Sequence, residues 1–337
     1  MTLLQDILYF FSFENANINY VLIGTTLLGL SSGVVGILVV LSKKTLVIDA
    51  ISHSMLPGIC IGFLLSGVKN PLYLLLGGIS TAILSVWIIA QITSKSKIKT
   101  DGAIAITLSF LFSAGIITLN IVQNQGNANQ SGLNDFLFGK AASMLQEDLI
   151  FFIVLSVVTL ITVPLFARVF KISLFDSVFA QSIGINKVIV QTILSFLVII
   201  TAASGVQTVG IILMSAMIIA PAAAALFWAI SFNKSILYSG IIGVFCSVVG
   251  VFISYLSPQM PTGPWVVICL STTAILSVLI SPRGLLVKQI KLKRQKNKVL
   301  RENVVKTMYK LREKMKSTGV LVEDIVNYRS IKSSKVM

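Results

Sequence analysis

The 337-residue chain is far more apolar than a soluble globular domain, since hydrophobic residues make up 55% of it, charged residues only 12%, and its mean hydropathy is +0.92. Its charge is strongly positive, with 27 lysines and arginines against 12 acidic residues. This composition excludes a soluble globular fold and predicts an all-α integral membrane protein, because repeated charge-free runs of about 20 residues suit membrane-crossing helices rather than barrel strands.

Apolar runs bounded by charged or turn-forming residues predict a polytopic bundle of about nine transmembrane helices. A short polar break at residues 204–210 leaves two possibilities open: a tight turn between two spans, or one interrupted helix. The second possibility would reduce the count to eight. The predicted spans are residues 20–41, 46–66, 71–92, 102–123, 149–170, 187–209, 211–230, 236–256 and 263–282.

The distribution of basic residues predicts the orientation of the bundle, because lysine and arginine concentrate in cytoplasmic loops. With the amino terminus outside and the carboxyl terminus in the cytoplasm, only Lys69 and Lys140 fall on the outer side. The cytoplasmic side then holds the basic tail and these loop residues: Lys43, Lys44, Lys95, Lys97, Lys99, Arg168, Lys171, Lys187, Lys234 and Arg283.

Two Gly-x-x-x-Gly pairs fall inside the predicted spans, Gly29 with Gly33 and Gly58 with Gly62. Small residues at this spacing let two membrane helices approach closely. Glycine is also common in membrane helices generally, so ordinary composition remains an alternative explanation of either pair.

The second predicted span opens with DAISHSMLPG, residues 49–58, which holds the only histidine of the chain. Residues four apart share one face of a helix, with Cβ atoms about 5–6 Å apart, so Asp49 and His53 point the same way. A carboxylate with an imidazole suits a divalent first-row metal ion. The pair predicts half of a metal site, and the open alternative is a helix-capping aspartate with a histidine bonded to a neighbouring helix.

Pro57 follows His53 by one helical turn. Proline has no N–H to donate to the His53 carbonyl, so a helix kink is predicted at this point. The freed carbonyl oxygen would be a third candidate donor to a metal ion.

The sequence contains no G-x-x-x-x-G-K-[ST] phosphate loop and no GxSxG or HExxH motif. We therefore predict that the chain does not itself hydrolyse ATP or peptide bonds, so that any energy for its function comes from elsewhere. No permanently bound cofactor is predicted.

Between the fifth and sixth predicted spans lies FDSVFAQSIGINK, residues 175–187. Asp176 can cap a short helix there, and the apolar side chains that follow exceed what a solvated loop needs. Two interpretations of these apolar residues stay open: they bind a docking partner at the cytoplasmic surface, or they pack against the bundle. The apolar residues are Val178, Phe179, Ile183 and Ile185.

From residue 285 the chain changes character, because 15 of the 27 lysines and arginines lie in residues 285–337. Val304, Met308, Leu311 and Met315 recur at helical spacing, which predicts an amphipathic basic helix attracted to anionic lipids. Nucleic-acid binding is the less favoured alternative. The predicted domains are a transmembrane domain at 1–284 and a basic, partly helical cytoplasmic tail at 285–337.

Several segments together resemble the permease subunits of ABC transporters that import manganese, zinc and iron. The resemblance covers about residues 18–284, and its pieces match in order and spacing. They are DAISHSMLPG, KTDGAIAI before the fourth span, NDFLFGK at 134–140, FDSVFAQSIGI at 175–185, VGIILMSAMIIAPAAAA at 209–225 and PTGPWVVI at 261–268.

The resemblance implies a multi-pass permease in the bacterial cytoplasmic (inner) membrane, in which two permease chains enclose a path for a divalent metal. It also implies a cytoplasmic ATP-binding subunit and an extracytoplasmic metal-binding protein as partners. Asp49 and His53 match the family's metal-contacting pair. Asp176, Ala180 and Gly184 match its ATPase-coupling helix, on which Phe179 also lies.

Two other functions fit the sequence less well than transport. A membrane-embedded metalloenzyme is disfavoured because catalytic zinc takes three protein ligands and this chain has one histidine and no suitably placed cysteine. A passive cation channel would not need the apolar cytoplasmic helix. Manganese, zinc and iron all suit an Asp–His pair, and either two copies of this chain or two related permeases could form the path.

Overall fold

The computed structural model describes residues 3–12, 14–67, 71–124, 139, 146–206, 208–256 and 260–315, which form helices joined by short turns. The chain divides into two compact units, residues 1–277 and 278–337. The domain boundary that composition predicts after residue 284 stays a prediction. The helices are α1 Leu3–Phe10, α2 Ala16–Leu41, α3 Thr45–Ser66, α4 Pro71–Lys95, α5 Thr100–Asn124, α6 Gln146–Leu165, α7 Ala167–Phe175, α8 Ser177–Ser182, α9 Lys187–Val206, α10 Ile211–Trp228, α11 Phe232–Leu256, α12 Thr262–Ile280 and α13 Leu285–Met315.

Eight helices in the described part of the chain are long and apolar enough to cross a membrane, namely α2 to α5, α9 to α11, and the helix that begins at Thr262. A ninth span results if α6 and α7 are counted together, although they bend by 64° where they meet. Pro164 lies in the last turn of α6 and cannot donate to the Leu160 carbonyl, which gives the bend a physical cause. The all-helical fold with multiple membrane spans is confirmed. Whether the spans number eight or nine depends on whether the bent pair of α6 and α7 is counted as one span.

The break at residues 204–210 separates two helices that pack on each other. α9 ends at Val206, α10 begins at Ile211, and the side chain of Met214 lies against Gly205. Gly210 has a φ of 93°, a backbone conformation that favours glycine. The chain therefore folds back here, as the tight-turn reading predicted.

α1 was not predicted, because eight residues are too few to give a membrane-span signal. It is held by Phe10, which is buried against the end of α11. The Phe10 ring meets Phe252 edge-on, with ring centroids 5.2 Å apart, and lies 5.5 Å from the ring of Tyr255. The first helix thus packs on α11 through aromatic contacts.

Both Gly-x-x-x-Gly pairs lie at close helix crossings. A Cβ on Gly33 would lie 2.5 Å from the carbonyl oxygen of Ser239, and the Ser239 hydroxyl donates a 2.7 Å hydrogen bond to the Gly33 carbonyl, joining α2 to α11. A Cβ on Gly62 would lie 2.5 Å from the carbonyl oxygen of Tyr73, at the crossing of α3 and α4. The prediction of tight packing is confirmed at both crossings.

α3 occupies a central position in the first unit. It packs most extensively against α4 and α5 and also contacts α9 and α10. Leu56 on α3 lies against Gly115 on α5, and neighbouring turns of the two helices meet in parallel order. α3 therefore packs against four other helices of the first unit, α4, α5, α9 and α10.

Candidate cation site and docking surface

Asp49 and His53 lie together in the first turns of α3, as their spacing predicted. The Nε2 atom of His53 is 3.5 Å from the Oδ1 atom of Asp49. The His53 side chain is only 16% exposed, whereas the Asp49 side chain is 41% exposed. The carboxylate therefore reaches the surface of this single chain, while the imidazole is largely enclosed by the bundle.

Phe112 on α5 packs against the His53 ring on the side that faces the protein. The two rings meet edge-on, with centroids 4.9 Å apart and an interplanar angle of 78°. The Nδ1 atom of His53 is buried and has no hydrogen-bond partner in the described part of the chain. Metal-binding imidazoles usually donate their second N–H to an acceptor, and none of the described residues accepts from this one.

Ser215 on α10 is a third member of the site, and the sequence analysis did not identify it. Its side chain lies close enough to the Asp49 carboxylate to interact favourably with its negative charge. No spacing rule links residues 49 and 215, because α10 reaches α3 only through the tertiary fold. The one signal in the sequence was a lone hydroxyl within the apolar stretch IILMSAM.

The separation of the two predicted ligand atoms fits a shared cation. Two ligands of a tetrahedral ion at about 2.1 Å lie about 3.4 Å apart. The measured distance is 3.5 Å between Nε2 and Oδ1. Groups of three or more His, Cys, Asp or Glu side chains that could hold a metal are absent from the residues the structure describes. One chain therefore offers part of a coordination shell.

Pro57 lies inside α3, which continues from Thr45 to Ser66 without interruption. The kink and the freed His53 carbonyl that Pro57 predicts stay predictions. If the carbonyl turned towards the pair, it would add a hard oxygen donor to the same face.

The short helix predicted near residue 176 is present as α8. The Asp176 carboxylate accepts hydrogen bonds from the backbone N–H groups of Val178, at 3.1 Å, and Phe179, at 2.9 Å. These bonds satisfy N–H groups that a helix start otherwise leaves unpaired. The capping role of Asp176 is therefore confirmed.

The two sides of α8 differ. Ala180 is buried, and its carbonyl accepts a 2.9 Å hydrogen bond from the Ile185 N–H, across a turn in which Gly184 has a φ of 85°. Three apolar side chains point outward: Val178 is 78%, Phe179 52% and Ile183 49% exposed. α8 thus packs on the bundle through its small residue and leaves its large apolar residues uncovered, which favours a docking partner.

Two predicted features lie wholly or largely outside the described residues. The NDFLFGK segment at 134–140 is described only at Gly139, which has a φ of 81° and lies against the α9–α10 turn. The end of the basic tail, residues 316–337, is also outside. The described part of the tail is α13, whose Lys298 forms a 4.0 Å ion pair with Glu302.

Comparison with known proteins agrees with the sequence motifs. Residues 14–281 match the family described as the ABC 3 transport family. The chain is 38% identical over 322 residues to the manganese transport system membrane protein MntC of Bacillus subtilis, covering 95% of this chain and 74% of that protein. It is 37% identical over 275 residues to the zinc transport system membrane protein TroC of Treponema pallidum, covering 81% and 92%.

A solved structure has the same fold. PsaBC from Streptococcus pneumoniae, in complex with Fab, matches with a TM-score of 0.75 and 29% identity. The match covers 86% of this chain and 99% of the solved one. The helical arrangement described above is therefore shared over most of the chain.

Proposed function

Because the chain belongs to the ABC 3 transport family and is thus the multi-pass membrane permease of a bacterial ABC importer, we propose that Asp49 and His53 contact a divalent metal cation as it passes. The family's permeases are non-catalytic membrane components, so the metalloenzyme alternative falls away. The passive-channel alternative falls away as well, because the chain is the permease of an ATP-driven importer.

The observation that carries the proposal is the 3.5 Å separation of His53 Nε2 and Asp49 Oδ1 within a membrane-spanning helix. Ionisable groups at such a position are costly unless a partner or a passing ion compensates them. The partial shell suits transport, because a site that holds its ion too tightly cannot release it.

We propose manganese as the cargo, with zinc as the second candidate. The Asp49 carboxylate is a hard oxygen ligand that suits manganese, and the His53 imidazole is the feature that favours zinc. The two relatives described above carry manganese and zinc in their names. Iron, which the sequence motifs also allow, has no such support.

The rest of the coordination shell would come from a second permease chain. Asp49 is 41% exposed in the single chain, although it lies in a membrane span, so its carboxylate needs a covering surface other than lipid. A second chain that places its own Asp–His pair opposite would complete a four-ligand shell. Two identical copies and two related permeases both meet this requirement.

An ABC permease works with an ATP-binding subunit and a binding protein that delivers the substrate. We propose that the outward side of α8 docks the ATP-binding subunit, so that ATP binding and hydrolysis move α9 and reopen the path. Anionic phospholipids would contact α13, where Lys288, Lys291, Lys293, Arg294, Lys296, Lys298 and Arg301 precede the first acidic residue of the helix.

The proposed orientation has the amino terminus outside and the carboxyl terminus in the cytoplasm. Support comes from the lysine distribution and from helix directions: α2 and α11 run antiparallel, so Lys43 after α2 and Lys234 at the start of α11 share one end of the bundle. Labelling of single cysteines from each side of sealed cells tests it. Labelling of a cysteine at position 234 from outside the cell would contradict the proposed orientation.

The function is tested by ATP-dependent uptake of radioactive manganese into proteoliposomes that contain the whole transporter and its binding protein. We expect Asp49→Asn and His53→Ala to reduce uptake by about 100-fold or more, because loss of a ligand should cost at least as much as the roughly 10–100-fold that loss of an outer-shell partner costs. Ser54→Ala is the matched control, since Ser54 follows His53 but bonds within its own helix to the Ala50 carbonyl. Equal uptake by the parent and His53→Ala would refute the role of the pair.

A further inference from the structure

A groove runs along one side of the bundle between α6 and α11. Both helices pack against α2, which forms the floor of the groove. Leu30 and Val34 line it from α2, Leu160 and Pro164 line it from α6, and α11 contributes one face over residues 236–248. The volume of the groove is about 530 Å³, which is within the range of about 300–1,000 Å³ that is typical of ligand pockets.

The groove opens towards the hydrocarbon core of the membrane. The described residues that line it are all apolar. Leu237, Ile241 and Phe245 are exposed along it, although they belong to the membrane-spanning helix α11. An empty groove would forfeit dispersion contacts along its walls, and a hydrocarbon chain would restore them.

The length of the groove matches one leaflet of a bilayer. Val248 follows Ile236 by 12 residues, so at about 1.5 Å per residue the lined face of α11 is about 18 Å long. One leaflet supplies half of a hydrocarbon core that is about 30 Å thick. A helix of another membrane protein would follow the full thickness, whereas a phospholipid acyl chain ends near the middle. The length thus favours an acyl chain as the occupant.

Positive charge marks one end of the groove. Lys234 is exposed and precedes Leu237 by three residues and Ile241 by seven, so it lies on the lined face of α11 about one turn beyond the groove. Arg168 is also exposed and follows Pro164 by four residues. Long basic side chains near the ends of membrane helices reach the headgroup level, where they attract anionic headgroups.

We propose that this groove binds an anionic phospholipid, with one acyl chain between α6 and α11 and the headgroup at Lys234. The acyl chain would pack against Leu160 and Pro164, beside the bend between α6 and α7. It would thus support the end of α6 from which the chain continues to α8. This site is separate from α13, whose proposed contact with lipid depends on charge alone.

The groove and the candidate cation site lie on different helices. α3, which carries Asp49 and His53, packs against α4, α5, α9 and α10. The described residues that line the groove belong to α2, α6 and α11. A second permease chain that covers Asp49 would therefore meet a different set of helices and leave the groove to lipid.

The test uses phospholipids that carry a photoreactive diazirine on the acyl chain, added to the full-length permease in phosphatidylcholine nanodiscs. Photoreactive phosphatidylglycerol should label the groove-lining parts of α6 and α11, located by mass spectrometry of the peptides. Ile241→Trp fills the groove and should reduce this labelling about tenfold. Ile83→Trp is the matched control, because Ile83 lies on α4 and the two isoleucines are exposed to a similar extent, 54% for Ile241 and 50% for Ile83.

A charge variant tests the headgroup contact without altering the groove. In the parent, photoreactive phosphatidylglycerol should label the groove about fivefold more than photoreactive phosphatidylcholine, and Lys234→Gln should remove most of that preference. Lys97→Gln should keep the preference, because Lys97 is an exposed lysine in the turn between α4 and α5. Equal labelling of the parent by the two lipids, or full labelling of Ile241→Trp, would overturn the proposal. So would a disulfide between two permease chains at Ile241→Cys, since it would show that protein covers the groove.

Discussion

The ring of Phe112 on α5 meets the imidazole of His53 on α3 edge-on, with 4.9 Å between the ring centroids. In this arrangement the Nε2 atom of His53 lies 3.5 Å from the Asp49 carboxylate, and the Nδ1 atom is buried. The candidate cation site thus includes a contact between His53 and Phe112, although phenylalanine is not itself a metal ligand.

Replacing Phe112 with leucine should loosen His53 and raise the KM for manganese uptake about two- to tenfold, since an edge-on aromatic contact contributes about 0.5–1.5 kcal/mol. ATP hydrolysis by the complex should be retained. Phe110→Leu is the control, because Phe110 lies on the same helix and is 67% exposed. If both variants change KM equally, the contact with His53 is not what matters.

Ser215→Ala should weaken manganese binding about tenfold or more, because hydrogen bonds that orient a metal-ligating carboxylate typically contribute that much. The cause is loss of a hydroxyl on α10 that interacts with the Asp49 carboxylate. Ser215→Thr keeps a hydroxyl and should behave like the parent. Equilibrium binding of manganese to the detergent-purified complex measures the effect, and normal binding by the alanine variant would remove Ser215 from the site.

Asp176→Ala should destabilise α8 by about 1 kcal/mol, since it removes the side chain that accepts hydrogen bonds from the Val178 and Phe179 N–H groups at the start of that helix. We expect manganese-stimulated ATP hydrolysis to fall while manganese binding to the permease is unchanged. Asp176→Asn retains a capping oxygen and should restore most of the activity. An alanine variant with full ATP hydrolysis would show that the cap is dispensable for coupling.

Gly62→Val should lower the thermal stability of the permease in detergent, because a side chain at this position would overlap the Tyr73 carbonyl at the α3–α4 crossing. Overpacking of this kind costs about 1–3 kcal/mol. Gly102→Ala is the comparison, since its Cβ would meet only the Cγ2 methyl group of the exposed Ile98 side chain and no backbone atom. Equal melting temperatures for the two variants would contradict the close packing of α3 on α4.

Local features of this molecule could be predicted from the sequence and tertiary ones could not. The Asp49–His53 pair and the Asp176 cap are set by spacings of two to four residues within one helix, so helix geometry alone predicts them. Ser215 and Phe112 lie on other helices, and their approach to the pair depends on how α3, α5 and α10 pack. The bend between α6 and α7 was missed because Pro164 lies near the end of an apolar run, where hydropathy gives no sign of a change in direction.

The most direct test uses the fact that His53 is the only histidine of the chain. Permease grown with ¹⁵N-histidine and combined with unlabelled partner subunits carries the isotope at that residue alone. Pulsed electron paramagnetic resonance of manganese trapped in the assembled transporter should then show a ¹⁵N coupling, which is lost in Asp49→Asn as the site is disrupted. Trapped manganese that shows no ¹⁵N coupling in the parent complex would contradict the assignment of His53 to the cation path.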